Sequence, residues 1–296
     1  MTAINLAHFQ NAIDSHVANG NLDQKLTVTD SGALQTREAS STLAGKLVSW
    51  HNLSSSEGTQ KAQDQGAFRT ALQDKFGKEL GEQAYKYACN ACGYTDGKFH
   101  SLTVKQISTG IDFAVLHKHE AEVQNKSIIK YFEQNPEQLS SVGLARVNGS
   151  KNEISKLIAN RTSQDFDSNV HGKVEHELAG AFKQNLRENM SNTELAKVLD
   201  FVKSYDPVLD NLPALNELPE MVQDTVKFSR MIAEKADVNK MQPSNLAIVF
   251  GPNVVKDDSL APSEQFGLIQ AGNKFFTALV ERELPDDYYL RIPKND

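Results

Sequence analysis

The sequence predicts a mainly α protein built as two domains, and three observations lead to that reading. A capping box, Ser191-Asn192-Thr193-Glu194, opens a segment in which Leu195, Val198, Leu199 and Val202 recur at i, i+3, i+4 and i+7. Pro219, in a first-turn position, opens another in which Val222, Thr225, Val226, Ser229, Ile232 and Ala233 share one side. The third is size and balance: 296 residues, 39% hydrophobic and 23% charged, suit one large or two modest domains.

The N-terminal half reads as helices separated by polar turns. Leu6, Phe9, Ile13 and Val17 recur at spacings of three and four, which gives one apolar stripe. Lys25-Leu26-Thr27-Val28-Thr29 then alternates with period two before the turn signal Asp30-Ser31-Gly32, so a short strand or an extended loop belongs there. Leu43, Leu47 and Trp50 mark a second helical face, with Thr36, Ser40 and Ser41 as candidate caps. Phe68, Ala71, Leu72 and Phe76 make a third, and Ile107, Ile111, Ala114 and Val115 a fourth. Residues 1–126 form the expected N-terminal domain and 127–296 the C-terminal one. Asn135-Pro136-Glu137 interrupts the pattern just after the boundary.

Bulk properties exclude several classes of function. A formal charge of −7 and a pI near 5.7 argue against nucleic-acid binding through the whole surface, which needs a basic face. No run approaches a membrane span, and the segment around Leu6 and Phe9 lacks the basic start and apolar core of a secretory signal. Cys89 and Cys92 are the only cysteines, too few for a disulfide framework and consistent with a reducing cytosol. Their CxxC spacing has no second pair, and His100, His117, His119 and Glu120 follow no finger pattern, so no metal site is expected. No P-loop, Gly-x-Ser-x-Gly elbow or His-Glu-x-x-His motif is present, so no independent active site is expected.

Three separated segments carry the chemistry: Gly143-Leu144-Ala145-Arg146-Val147-Asn148-Gly149-Ser150, Phe182-Lys183-Gln184-Asn185-Leu186-Arg187-Glu188, and the long block Asn239-Lys240-Met241 through Asn245-Leu246-Ala247-Ile248-Val249-Phe250-Gly251-Pro252-Asn253. Taken singly, each has a bland reading. Arg146 is a solvated loop residue, and Lys183 with Arg187 is a helix edge at i, i+4 beside the line Leu178, Phe182, Leu186. Periodicity alone reads Leu246 to Phe250, closed by Gly-Pro, as a short buried strand.

Together and in this order, the three segments strongly resemble the RhoGAP domain, the GTPase-activating module for Rho-family GTPases. The likeness runs from about Lys126 to about Arg291. Lys151-Asn152-Glu153-Ile154 through Leu157 resembles the helix after the arginine loop, Val170-His171 the family's Asp-Val-His, and Leu212-Pro213 with Leu215-Asn216 its Leu-Pro-x-x-Asn. The resemblance implies a helical C-terminal domain, with Leu246 to Phe250 helical rather than extended. It implies Arg146 as an arginine finger, Arg187 as a brace for its loop, Lys183 as a contact to the GTPase, and Asn253 as a hydrogen-bonding residue beside the nucleotide. The partner is then a Rho-family small GTPase such as Rho or Rac. GTP and magnesium belong to that partner, and the chain has no cofactor of its own.

Arginine suits the task because its planar guanidinium stays protonated and donates to two oxygens at once. Gly143 and Gly149 allow a tight turn and a close approach. The chain departs from the family at Ala145, where an aromatic residue is usual, at Asn148 in place of serine, and after Glu188, where Asn189-Met190-Ser191 replaces Leu-Pro-Glu-Pro-Leu. The rival reading is a RhoGAP-like binding module or scaffold without catalysis, the main activity lying in the N-terminal domain. That domain resembles no familiar companion module and its partner is unknown. Its Ser, Gln and Asn content points to a bacterial effector delivered into host cytosol, and the RhoGAP resemblance implies signalling to the actin cytoskeleton. The expected location is otherwise cytoplasmic.

Overall fold

The computed structural model describes residues 13–14, 17–29, 34–36, 56–93, 102–161, 174–255 and 260–292. The stripe begun by Leu6 and Phe9, the face of Leu43, Leu47 and Trp50, the Asp30-Ser31-Gly32 turn and the Val170-His171 landmark lie outside them in whole or part. The chain divides into two compact units, Met1–Lys118 and His119–Asp296. The division falls within the helix Val104–Gln134, and helices dominate both.

In the first unit the period-two segment is a strand. Strand β1 (Leu26–Val28) pairs antiparallel with β2 (Leu34–Thr36) in the register Leu26 to Thr36, Thr27 to Gln35 and Val28 to Leu34. Helix α1 (Ser56–Phe76) packs against α2 (Lys78–Ala91), and α3 (Val104–Gln134) follows. Phe68, Ala71, Leu72 and Phe76 of α1 bury with Leu80, Ala84 and Ala88 of α2 and with Ile107, Ile111 and Ala114 of α3. Val115, expected on that last face, is 52% exposed. The buried stripe follows the 4–3 step 107, 111, 114, and one residue further turns about 100° off it. Asp64 of α1, itself buried, ties the hairpin down: its Oδ1 accepts from the Val28 amide at 2.9 Å and from Thr27 Oγ1 at 3.0 Å.

The second unit contains α4 (Lys151–Ala159), α5 (Glu175–Asn189), α6 (Asn192–Ser204), α7 (Glu220–Ala233), α8 (Ala236–Asn239), α9 (Pro243–Val254), α10 (Pro262–Arg282) and α11 (Tyr288–Arg291). The capping box is formed reciprocally, with the Ser191 amide on Glu194 Oε2 at 2.8 Å and the Glu194 amide on Ser191 Oγ at 3.2 Å. Pro219 stands one residue before α7 as its N-cap, and all six residues of the expected stripe are buried. Leu246 to Phe250 lies in helix α9, opened by Pro243 in its first turn. The run reads as unbroken because the helix is apolar on its outer side too: Leu246, Ala247 and Phe250 are buried where α9 packs against α5, α7 and α10, while Val249 is half-buried and Ile248 is 63% exposed.

Phenylalanines from five helices hold this unit together. The Phe228 ring (α7) lies 5.2 Å from Phe132 (α3) and 4.8 Å from Phe182 (α5), while Phe250 (α9) stands edge-on to Phe182 at 6.1 Å and 6.4 Å from Phe276 (α10). All five are fully buried, and tilted or edge-on aromatic pairs add to the burial of their area. Phe228→Ala removes the ring at the centre and should lower the unfolding free energy of this unit by about 4 kcal/mol. Denaturant melts of the two proteins measure that difference; equal midpoints would mean the cluster contributes little.

Candidate functional site

The arginine segment leaves α3 through a short 3-10 turn, Pro136–Ser140, and forms a compact loop before α4. Two left-handed residues shape it, Gly143 at φ 71° and Ala145 at φ 68°. Glycine adopts that region freely; alanine does so at a cost of about 1–2 kcal/mol, which packing must offset. Ala145 is buried in the core with Leu144. Further on, Gly149 touches α5: a Cβ there would meet the Glu177 backbone nitrogen at 2.7 Å, so only glycine allows this approach.

Alternate residues of the loop are gripped by the body of the unit. The Leu139 carbonyl accepts from Asn239 Nδ2 at 2.8 Å. Ser141 Oγ donates to Glu175 Oε1 at 2.6 Å. The Gly143 amide donates to the Asn239 carbonyl at 2.8 Å, and the Ala145 carbonyl accepts from Lys183 Nζ at 3.2 Å. Within the turn, the Arg146 and Val147 amides both donate to the Gly143 carbonyl, at 2.9 and 2.8 Å. Arg146 is exposed, and among the described residues no side chain pairs with its guanidinium, which lies back over Gly143. Val142 and Val147 flank it, 62% and 48% exposed.

Helix α5 carries the other two cations. Phe182 anchors it in the aromatic core, so the next residue, Lys183, leaves the core at the loop. Burial, and then the neighbouring Arg187 guanidinium, hold the Lys183 ammonium below the usual lysine range. Arg187 is half exposed and its Nη2 reaches Glu188 Oε1 at 3.3 Å, not the loop. Asn253 falls in the last turn of α9, with Gly251 and Pro252 still inside the helix, and its Nδ2 donates back to the Val249 carbonyl at 3.0 Å. Lys183 therefore joins the arginine loop directly, while Arg187 and Asn253 each bond within their own helix.

With this geometry in view, the sequence comparisons with known proteins agree on one family. The family model described as RhoGAP domain matches residues 126–259. That stretch is a RhoGAP domain. The chain is similar to the Rho GTPase-activating protein gacH of Dictyostelium discoideum, 26% identical over 51% of this chain and 28% of that protein. It is similar too to Rho GTPase-activating protein 44 of Homo sapiens, 34% identical over 38% of this chain and 15% of that protein. The match thus spans less than a third of either relative's length. Among solved structures, human Rho GTPase activating protein 15 aligns at a TM-score of 0.42 and 22% identity, over 54% of this chain and 80% of that chain.

Within the RhoGAP domain the sequence reading passed over Asn239, although it opens the motif block. It is fully buried, and its carboxamide makes three bonds: Nδ2 to the Leu139 and Ile232 carbonyls, both at 2.8 Å, and Oδ1 from the Met241 amide at 2.7 Å. A polar residue at a helix end, seven before the apolar run that starts at Leu246, was the available signal. Asn185 was passed over in the same way. Buried in α5, it donates to Gln124 and Asn125 of α3 at 2.8 and 3.0 Å and accepts from Arg161 at 2.6 Å. The departure after Glu188 is also explained: Met190 is buried and Ser191 caps α6, so α5 turns straight into the next helix.

Asn239→Ala should cost about 3 kcal/mol of stability, since it strands three buried backbone groups. Asn239→Asp should cost at least as much, because both donors vanish and a charge is buried. Calorimetric melting of the three proteins measures both. Lys183 gives a pH test. Its folded-state proton is held less tightly than in the unfolded chain, so its contribution to stability should rise as pH climbs from the lowered value to about 10.4. In Lys183→Met that rise should be missing from chemical denaturation curves.

Proposed function

We propose that the RhoGAP domain accelerates GTP hydrolysis by Rho-family GTPases, with Arg146 entering the partner's nucleotide pocket as an arginine finger. One observation carries this reading: an exposed guanidinium without a partner among the described residues, on a loop whose alternate residues are bonded to the folded body. The matched relatives' names, Rho GTPase-activating proteins, support it.

The chemistry follows from where charge develops. Cleavage of the γ-phosphate raises negative charge between the phosphates, and a pre-positioned cation in a dry pocket stabilises it without reorganising. An arginine supplied in trans is worth roughly 10³ to 10⁵ in rate, or about 4–7 kcal/mol of barrier. Its loop must not have to be ordered when the complex forms, and the bonds to Ser141, Gly143 and Ala145 meet that need. Lys183 then acts as the brace, through the Ala145 carbonyl. Arg187, half exposed and bound only weakly to Glu188, is available to a partner surface. Asn253 can bond a GTPase by turning its carboxamide off the Val249 carbonyl. GTP, magnesium and the attacking water are the GTPase's.

Single-turnover hydrolysis by GTP-loaded Rho, Rac and their relatives should accelerate on adding this protein, and Arg146→Ala should return the rate to within about tenfold of the intrinsic one while leaving complex formation largely intact. Acceleration of none of them would end the proposal, and tight complexes without acceleration would make the domain a binding module.

A further inference from the structure

The arginine loop is closed at both roots by one turn of α5. At its start, Ser141 Oγ donates to Glu175 Oε1 at 2.6 Å, and at its end the Ser150 amide donates to Glu177 Oε1 at 3.0 Å. Between these points lie the two left-handed residues and Arg146. Gly149 lies against the backbone of the same turn, so the second root is held by shape as well as by a hydrogen bond.

We propose that Glu175 and Glu177 are positioning residues that clasp the loop and fix the direction in which Arg146 is presented; the catalytic half of this inference rests on the finger role argued above. Glu175 is the more telling of the two. It is only 4% exposed, and its Oε2 has no hydrogen-bond partner among the described residues. A carboxylate in the first turn of a helix is favoured by the helix dipole, and α5 has no side-chain cap to do that work. A fully solvated acid would serve the dipole as well, so burial needs another reason. The bond to Ser141 supplies it: the buried acceptor makes a short, strong hydrogen bond that water cannot replace.

The clasp is distinct from the other restraints. The Asn239 carbonyl, at the Gly143 amide, and Lys183, at the Ala145 carbonyl, grip backbone groups inside the loop, whereas the two glutamates set the separation of its ends. Loss of either end leaves the loop's interior bonds in place but lets the turn pivot, and small displacements of a catalytic group cost rate far more than affinity.

The test uses the full chain with Glu175→Ala, Glu177→Ala and the two Gln variants, which keep a carbonyl acceptor. Hydrogen exchange at the Gly143, Arg146 and Val147 amides should speed up about tenfold in each Ala variant and recover in the Gln variant, with α10 amides unchanged. In single-turnover assays on a responsive GTPase, the saturating rate should fall about tenfold with the half-saturating concentration within about twofold. Unchanged loop exchange, or exchange rising equally through α10, overturns the clasp. A wild-type protein that accelerates no GTPase overturns the proposed function instead, and the exchange data still decide the clasp.

Discussion

The loop that carries Arg146 has no ladder of its own, so its form rests on Asn239. A buried loop backbone must satisfy its amides and carbonyls from elsewhere. Asn239 meets that demand on several sides at once: its side chain joins the Leu139 carbonyl, the Ile232 carbonyl at the end of α7 and the Met241 amide before α9, and its own carbonyl receives the Gly143 amide. One fully buried residue thus connects the arginine loop, a helix end and the start of the next motif helix. In an environment of low polarity such a network is strong when complete and costly when broken.

Apolar and polar restraints divide the work around it. The phenylalanine cluster sets the distances between α3, α5, α7, α9 and α10. Polar side chains then fix what lies at the edge of that core: Lys183 follows Phe182 directly, and Asn253 follows Phe250 by three residues on α9. Core packing alone orients helices to within a few degrees of freedom, and hydrogen bonds select one arrangement of the irregular segments between them.

Much of this was legible beforehand, and the division between legible and hidden has a physical basis. The capping box at Ser191 and the stripe from Val222 to Ala233 are local patterns, and they appear as read. Alternation at Leu26–Val28 left a strand or an extended loop open, and the pairing with Leu34–Thr36 decides for the strand. Leu246 to Phe250 defeated periodicity because the outer side of the helix carries the exposed Ile248 and the half-buried Val249 instead of polar residues, and only the family likeness gave the helix. At the site, Arg146 and Lys183 stood out as cations in recognisable motifs. Glu175, Glu177, Asn185 and Asn239 did not, because each acts through a partner from about 25 to 100 residues away, such as Ser141 for Glu175 or Leu139 for Asn239. Sequence spacing carries no trace of such pairings.

The alternation along the arginine loop separates two kinds of inheritance. Bonds to the body run through Leu139, Ser141, Gly143 and Ala145, while Val142 and Val147 face outward beside the guanidinium. Under the proposed finger role, a substitution at either valine would change the surface presented around the arginine and leave the mounting of its loop in place.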